Sequence, residues 1–269
     1  MKAILLVSRM TFKDSLRNRA LYGIFFLGAL LFLANIIITG MFTWELGKVA
    51  VEVGLSAMSI SGLIIIFFFS IQMISNEIDR KTIYLILARP VEKWQYLVGK
   101  YMGLAGIVLL SSLVLGICSL ASIKLSILMS HFNVPAHFNW PTVLLGMLYL
   151  TLALLVVLAI SFLCISIATH QFTALLLAMV FYFVGQNVET VKIIVQRQKG
   201  LADNILMHKA IDFVSWIVPN LEAFNLKTTA AYGLPVSLKY LGLVGLYGVS
   251  YIVVCLVLAI WVFQKRELA

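Results

Sequence analysis

The sequence predicts an all-α polytopic membrane protein with six transmembrane helices and both termini in the cytoplasm. Three observations carry that expectation. Of the 269 residues, 62% are hydrophobic and only 12% are charged, whereas soluble domains run at about 45–50% apolar and about 25% charged. The charges bracket uncharged runs long enough to cross a hydrocarbon core of about 30 Å at about 1.5 Å per residue. Lys and Arg are also spread unevenly between the two sides that those runs define. A water-soluble domain is excluded, and the chain reads as a single transmembrane domain over 1–269.

The first element is a basic amphipathic helix over 2–18. At about 100° per residue Leu5, Phe12 and Leu16 fall on one side, while Arg9, Lys13 and Arg17 follow an i, i+4 row on another. Such a helix lies on anionic lipid headgroups, and the same geometry is compatible with contact to a cytoplasmic partner. It reads as a retained segment, because the apolar stretch after it is too long for the core of a cleaved signal peptide.

The first span, 20–43, runs between Arg19 and Glu45, the second, 54–75, between Glu52 and Glu77, and the third, 101–123, between Lys100 and Lys124. The stretch 125–188 carries no formal charge and is too long for one span. It is divided by SHFNVPAHFNWP at 130–141, whose prolines, asparagines and Trp140 mark a surface loop, and by the polar cluster ATHQ at 168–171. Spans 141–167 and 171–190 therefore form a hairpin. The sixth span, 240–263, stops at Gln264, Lys265, Arg266 and Glu267. All five prolines fall outside the span centres, as unbroken helices require.

No span centre contains Asp, Glu, Lys or Arg. Each would cost about 2.5–3.5 kcal/mol at a helix centre, and such residues persist where a proton relay or ion site needs them. An ion-coupled transporter is disfavoured and a system powered from outside the membrane is favoured. Twelve of the 20 Lys and Arg lie on the side of the N-terminus, in 2–19, 80–100 and 265–266; six of the other eight lie on one long outer loop. The net charge of +9 thus sets orientation and gives no ground for nucleic-acid binding.

Between spans two and three, residues 76–100 read NEIDRKTIYLILARPVEKWQYLVGK. Glu77 and Asp79 come first, Ile78, Leu85 and Ile86 form an apolar stripe, and Arg89 precedes the helix-ending Pro90. Acid at the start and base at the end complement a helix dipole. A second piece, 92–100, leads into span three with Trp94 and Tyr96 at interfacial depth. On these residues alone, a re-entry into the membrane surface and a docking surface both remain open.

The order Glu77, Arg80-Lys81-Thr82, Leu85, Leu87, Pro90, Tyr96-Leu97 and Gly99-Lys100 resembles the signature E..RGT...LL..P..R..YLLGK of type-2 ABC exporter permeases. LRNRALY at 16–22 and FQKRELA at 263–269 are similar to the same family, especially the branch containing the permease of the nitrous-oxide reductase copper-maturation transporter. The six-span layout is shared along the chain, while the motif covers 77–100. Lys81 stands where the family often has Gly, and Lys93 where it often has Arg.

The resemblance implies a transmembrane subunit of the bacterial inner membrane that pairs with a second copy and with two cytoplasmic ABC ATPase subunits, which hold ATP and Mg. A membrane scaffold that passes ATPase motion to a partner without moving a solute is the alternative. Glu77, Arg80, Lys81, Thr82 and Pro90 would form a coupling element that docks on the ATPase, and Gly99 and Lys100 would mark its junction with span three. The helix bearing Arg9, Lys13 and Arg17 would pack beside it. The chain itself carries no cofactor site: Gly47-Lys48 and Gly99-Lys100 lack the GxxxxGK[ST] spacing of a phosphate-binding loop.

Residues 191–239 are too long for a turn. Two amphipathic pieces, 191–198 and 203–217, precede WIVPNLEAFNL at 216–226. Leu206, Ala210, Phe213, Val214 and Ile217 share a face, as interfacial or re-entrant helices at the outer leaflet require. Pro219-Asn220 is similar to a piece before the last span in the same permease branch. A lid over a dimer and a docking site for an extracytoplasmic partner or substrate are both compatible.

Cys118, Cys164 and Cys255 stand singly in apolar runs, a packing pattern and not a disulfide or zinc one. His131, His137, His170 and His208 form no ligand spacing, and the ten methionines are packing residues, so no metal site is expected. No nucleophile elbow or paired carboxylate points to an enzyme, and no catalytic residue is assigned. Gly99–Gly103 and Gly242, Gly245 and Gly248 have the small-residue spacing that permits close helix contact.

Overall fold

Apolar runs in hydrocarbon must pair every backbone N–H and C=O internally, which leaves the helix as the local solution. In the computed structural model, which describes residues 2–41, 46–79, 92–129, 139–168, 170–197, 211, 215 and 217–265, every regular element is helical. The order is α1 (Lys2–Arg17), α2 (Arg19–Met41), α3 (Leu46–Ile64), a π-helical segment (Ile65–Ser70), α4 (Ile71–Asp79), α5 (Lys93–Met129), α6 (Trp140–Ile167), α7 (Gln171–Arg197), a 3-10 turn (Glu222–Phe224), α8 (Lys227–Tyr232) and α9 (Leu238–Lys265).

Five of these stretches are long and apolar enough to cross a membrane: Lys48–Glu77, Lys93–Leu125, Trp140–Ile167, Gln171–Val195 and Leu238–Lys265. In α2, which occupies the place of the expected first span, the apolar stretch among the described residues is shorter, Gly28–Ile38. The expected loop at 130–138 and the residues 198–210 of the second long loop lie outside the described residues.

Helix ends differ from the sequence expectation where no residue forces a stop. The piece 92–100 is the first two turns of α5, with Tyr96 N–H donating to the Glu92 carbonyl. The amphipathic piece at 191–198 continues α7 to Arg197. Pro141 in the first turn of α6 and the extended backbone of Ala168 do fix the ends of that helix, within a residue of the expected 141–167. The α3–α4 rod holds a further surprise: Ser70 Oγ donates to Ile65 O at 3.3 Å and Ile71 N–H to Ile66 O, so the chain gains one residue per turn there.

α6 is the core of the bundle: 67% of its apolar window is buried, against 22% for α7 and for α9, whose outer faces are apolar and exposed. α9 lies along α6, α3 along α5, and α1 along the first turns of α5.

The α1 contact rests on glycine. A Cβ at Gly103 would lie 2.6 Å from Thr11 Cβ and 2.8 Å from the Ser8 carbonyl oxygen, and one at Gly99 would lie 2.8 Å from Val7 Cβ. This close approach selects a different face of α1 from the apolar one read from the sequence. Val7, Thr11 and Ser15 are buried, Phe12 and Leu16 flank them, and Leu5 is 69% exposed. The buried hydroxyls are satisfied locally, Thr11 Oγ1 donating to Val7 O at 2.9 Å and Ser15 Oγ to Met73 Sδ at 3.4 Å. Backbone proximity rather than hydrophobicity decides which side packs.

Gly103→Ala is therefore expected to lower stability by about 1–3 kcal/mol, as overpacking does, measured by thermal unfolding in lipid nanodiscs. Gly242→Ala, where nothing lies within 4 Å, is expected to be neutral or slightly stabilising.

Candidate functional site

Among the described residues, two sites bring charged side chains against the bundle. The first joins the two ends of the 80–91 segment. Glu77 lies in the last turn of α4, and Tyr96 and Lys100, four residues apart, share one face of α5. Lys100 Nζ pairs with Glu77 Oε1, and Tyr96 Oη–H donates to Glu77 Oε2 at 2.6 Å. Lys100 is 4% exposed, while the Glu77 side chain is 21% exposed. Removing such charges from water costs several kcal/mol per ion, which the mutual attraction and the added hydrogen bond offset.

The clamp extends to both neighbours. The Tyr96 ring stacks on Phe263 of α9, centroids 6.4 Å apart and planes 18° apart, and Lys93 Nζ donates to the Gln264 carbonyl at 3.4 Å. Gly99, between Tyr96 and Lys100, faces Val7 of α1. α4 meets α5 at this carboxylate, and α1 and α9 pack on the same turns of α5. Of the residues expected to form the coupling element, Glu77, Gly99 and Lys100 are brought together here; Arg80, Lys81, Thr82 and Pro90 lie outside the described residues. Arg9, Lys13 and Arg17 are exposed on α1, away from the face that packs on α5.

The second site was hidden in the sequence. Residues 217–226 turn into the bundle, held by a row of tyrosines on one side of α9. Tyr251 Oη–H donates to Ile217 O at 2.7 Å, Asn220 N–H to Tyr247 Oη at 3.0 Å, and Tyr240 Oη–H to Ala223 O at 2.9 Å. Leu221 N–H donates to the Gly185 carbonyl at 3.0 Å, and buried Phe224 rests on Gly248. The re-entrant backbone is thereby satisfied by its walls, as non-helical chain among membrane spans must be.

This turn carries Glu222, Asn225 and Lys227 to the middle of α6 and α7. Glu222 accepts from Gln186 Nε2 at 2.7 Å and from Asn225 Nδ2 at 3.2 Å. Beside it lies a cavity of about 60 Å³, lined by Ser59, Tyr182, Gln186, Asn225 and Lys227 and by apolar residues of α3, α6 and the turn. The charge-free span centres are thus supplied with an acid and a base from outside the spans. The signal in the sequence was the run PNLEAFNLK, 219–227, in which four polar side chains recur every two or three residues within an apolar context. A third feature is an apolar groove of about 540 Å³ between α5 and α6, floored by Met58 and Met147.

Over residues 5–268 the chain matches the family described as ABC-2 family transporter protein. No curated protein matches it.

Glu77→Gln leaves the buried Lys100 ammonium without its anion and is expected to destabilise by about 3–5 kcal/mol. Lys100→Met should cost less, because Glu77 keeps Tyr96 and reaches solvent, and the double variant Glu77→Leu/Lys100→Met should recover most of the loss. Denaturant unfolding of the four proteins in nanodiscs checks the order.

Proposed function

The chain belongs to the ABC-2 transporter family and is a multi-pass membrane component of such a transporter; we propose that it works as a homodimer driven by two separate cytoplasmic ATPase subunits. Six spans, with α2 as the first, place both termini and the 80–91 segment on the cytoplasmic side of a bacterial inner membrane. The partner subunits bind ATP and Mg and do the hydrolysis.

The observation that carries this reading is the Glu77–Lys100–Tyr96 clamp. A partner that grips Arg80, Lys81, Thr82 and the neighbouring 80–91 residues pulls on both ends of that segment at once. Because one carboxylate ties those ends, α4 and the start of α5 move as a unit, with α1 and α9 attached through Gly99 and Tyr96. Above the clamp, the π-helical segment Ile65–Ser70 has the less favourable hydrogen bonding at which a helix yields. Motion imposed at the cytoplasmic face is then delivered to α3 and the bundle interior, the pattern of a rigid body turning about a hinge.

Co-purification with the cognate ATPase tests the reading. Arg80→Glu and Lys81→Glu are expected to weaken assembly by about tenfold or more, the scale of a lost interfacial charge contact, and to uncouple ATPase activity from the permease. Full assembly and coupling in both variants would contradict the docking role.

A further inference from the structure

We infer that the cavity under the re-entrant turn is a binding site for a phosphate-type oxyanion, with Lys227, Tyr182 and Ser59 as its donors. The inference rests on the membrane placement proposed above and adds a ligand to it.

Three different elements line this space with donor-bearing residues: Ser59 from α3, Tyr182 from α7 and Lys227 from α8. Among the described residues none of these three side chains makes a hydrogen bond or an ion pair within 4 Å. Edge-on ring contacts with Phe67 and Phe183, at centroid distances of 5.9 and 5.6 Å, fix the Tyr182 ring in place. The nearby carboxylate is already engaged, since each Glu222 oxygen holds an amide, one from Gln186 and one from Asn225. Burial works against the Lys227 ammonium, and Glu222 works for it without closing on it.

The cavity therefore presents an ammonium and two hydroxyls, and the acceptor set is short. A metal cation is repelled by Lys227. Water alone satisfies donors but brings no charge to the half-buried ammonium. An oxyanion does both, because charge-assisted bonds to it are the strong ones and the half-buried Lys227 ammonium has no acceptor in contact among the described residues. The volume of about 60 Å³ is several times the roughly 10–15 Å³ of such space that one water needs. The oxyanion can come from a phospholipid headgroup or from free phosphate.

The experiment uses the full chain, purified in detergent without an ATPase, and native mass spectrometry with two probes, inorganic phosphate and dihexanoyl phosphatidic acid. Wild-type protein is expected to retain a phosphate-bearing probe. Lys227→Met should weaken it by about tenfold or more and Tyr182→Phe by a smaller factor, with Lys227→Arg retaining it. Phosphatidic acid that millimolar phosphate does not displace assigns the headgroup, and displacement assigns the free ion. If wild-type protein retains neither probe, or if Lys227→Met and Tyr182→Phe bind as wild type does, the inference is overturned. Because no ATPase is present, either result leaves the coupling reading to its own test.

Discussion

One carboxylate ties together the end of this bundle from which the 80–91 segment runs. Glu77 receives Lys100 and Tyr96 from the next helix, α5. Those two residues sit on either side of the contacts to α1 and α9. Without the carboxylate, a buried ammonium and a buried phenol would lose their shared acceptor. The stacking of Tyr96 on Phe263 and the seating of α1 on Gly99 both presuppose the orientation that Glu77 gives to α5.

The rest of the architecture divides into parts that resist motion and parts that permit it. The glycine contact of α1 on α5 brings backbone within van der Waals range of backbone and leaves no slack. The π-helical segment accommodates an extra residue in the middle of a long rod between the clamp and the bundle centre, with most of its side chains buried. At the other end, three tyrosine hydroxyls hold an irregular turn by its backbone. That turn brings an acid and a base, Glu222 and Lys227, beside span centres that carry no formal charge.

The sequence discloses what is local. Charges bracket the apolar runs, and Pro141 and the ATHQ cluster fix the α6–α7 hairpin nearly to the residue. The GxxxG spacing at Gly99–Gly103 announces a close contact, and α1 is what makes it. What depends on tertiary approach is not legible in this way. The buried face of α1 is chosen by the glycines of another helix, so Leu5 is exposed while Thr11 and Ser15 are buried. The run 92–100 has no helix breaker, and only the tertiary partners Glu77 and Phe263 give its Tyr96 and Lys100 their roles. Glu222 and Lys227 lie outside every span in the sequence, and reach the bundle interior because the turn folds back.

The central claim is that the clamped base moves as one body when the partner binds ATP. Its most direct measurement is electron–electron spin-label distances in the complex with the ATPase, on a background lacking Cys118, Cys164 and Cys255. Labels at positions 13 and 265 report the base, and labels at 13 and 48 report the base against the far end of α3. The account predicts that trapping ATP leaves the first distance unchanged and shifts the second. A first distance that changes while the second stays fixed would contradict it.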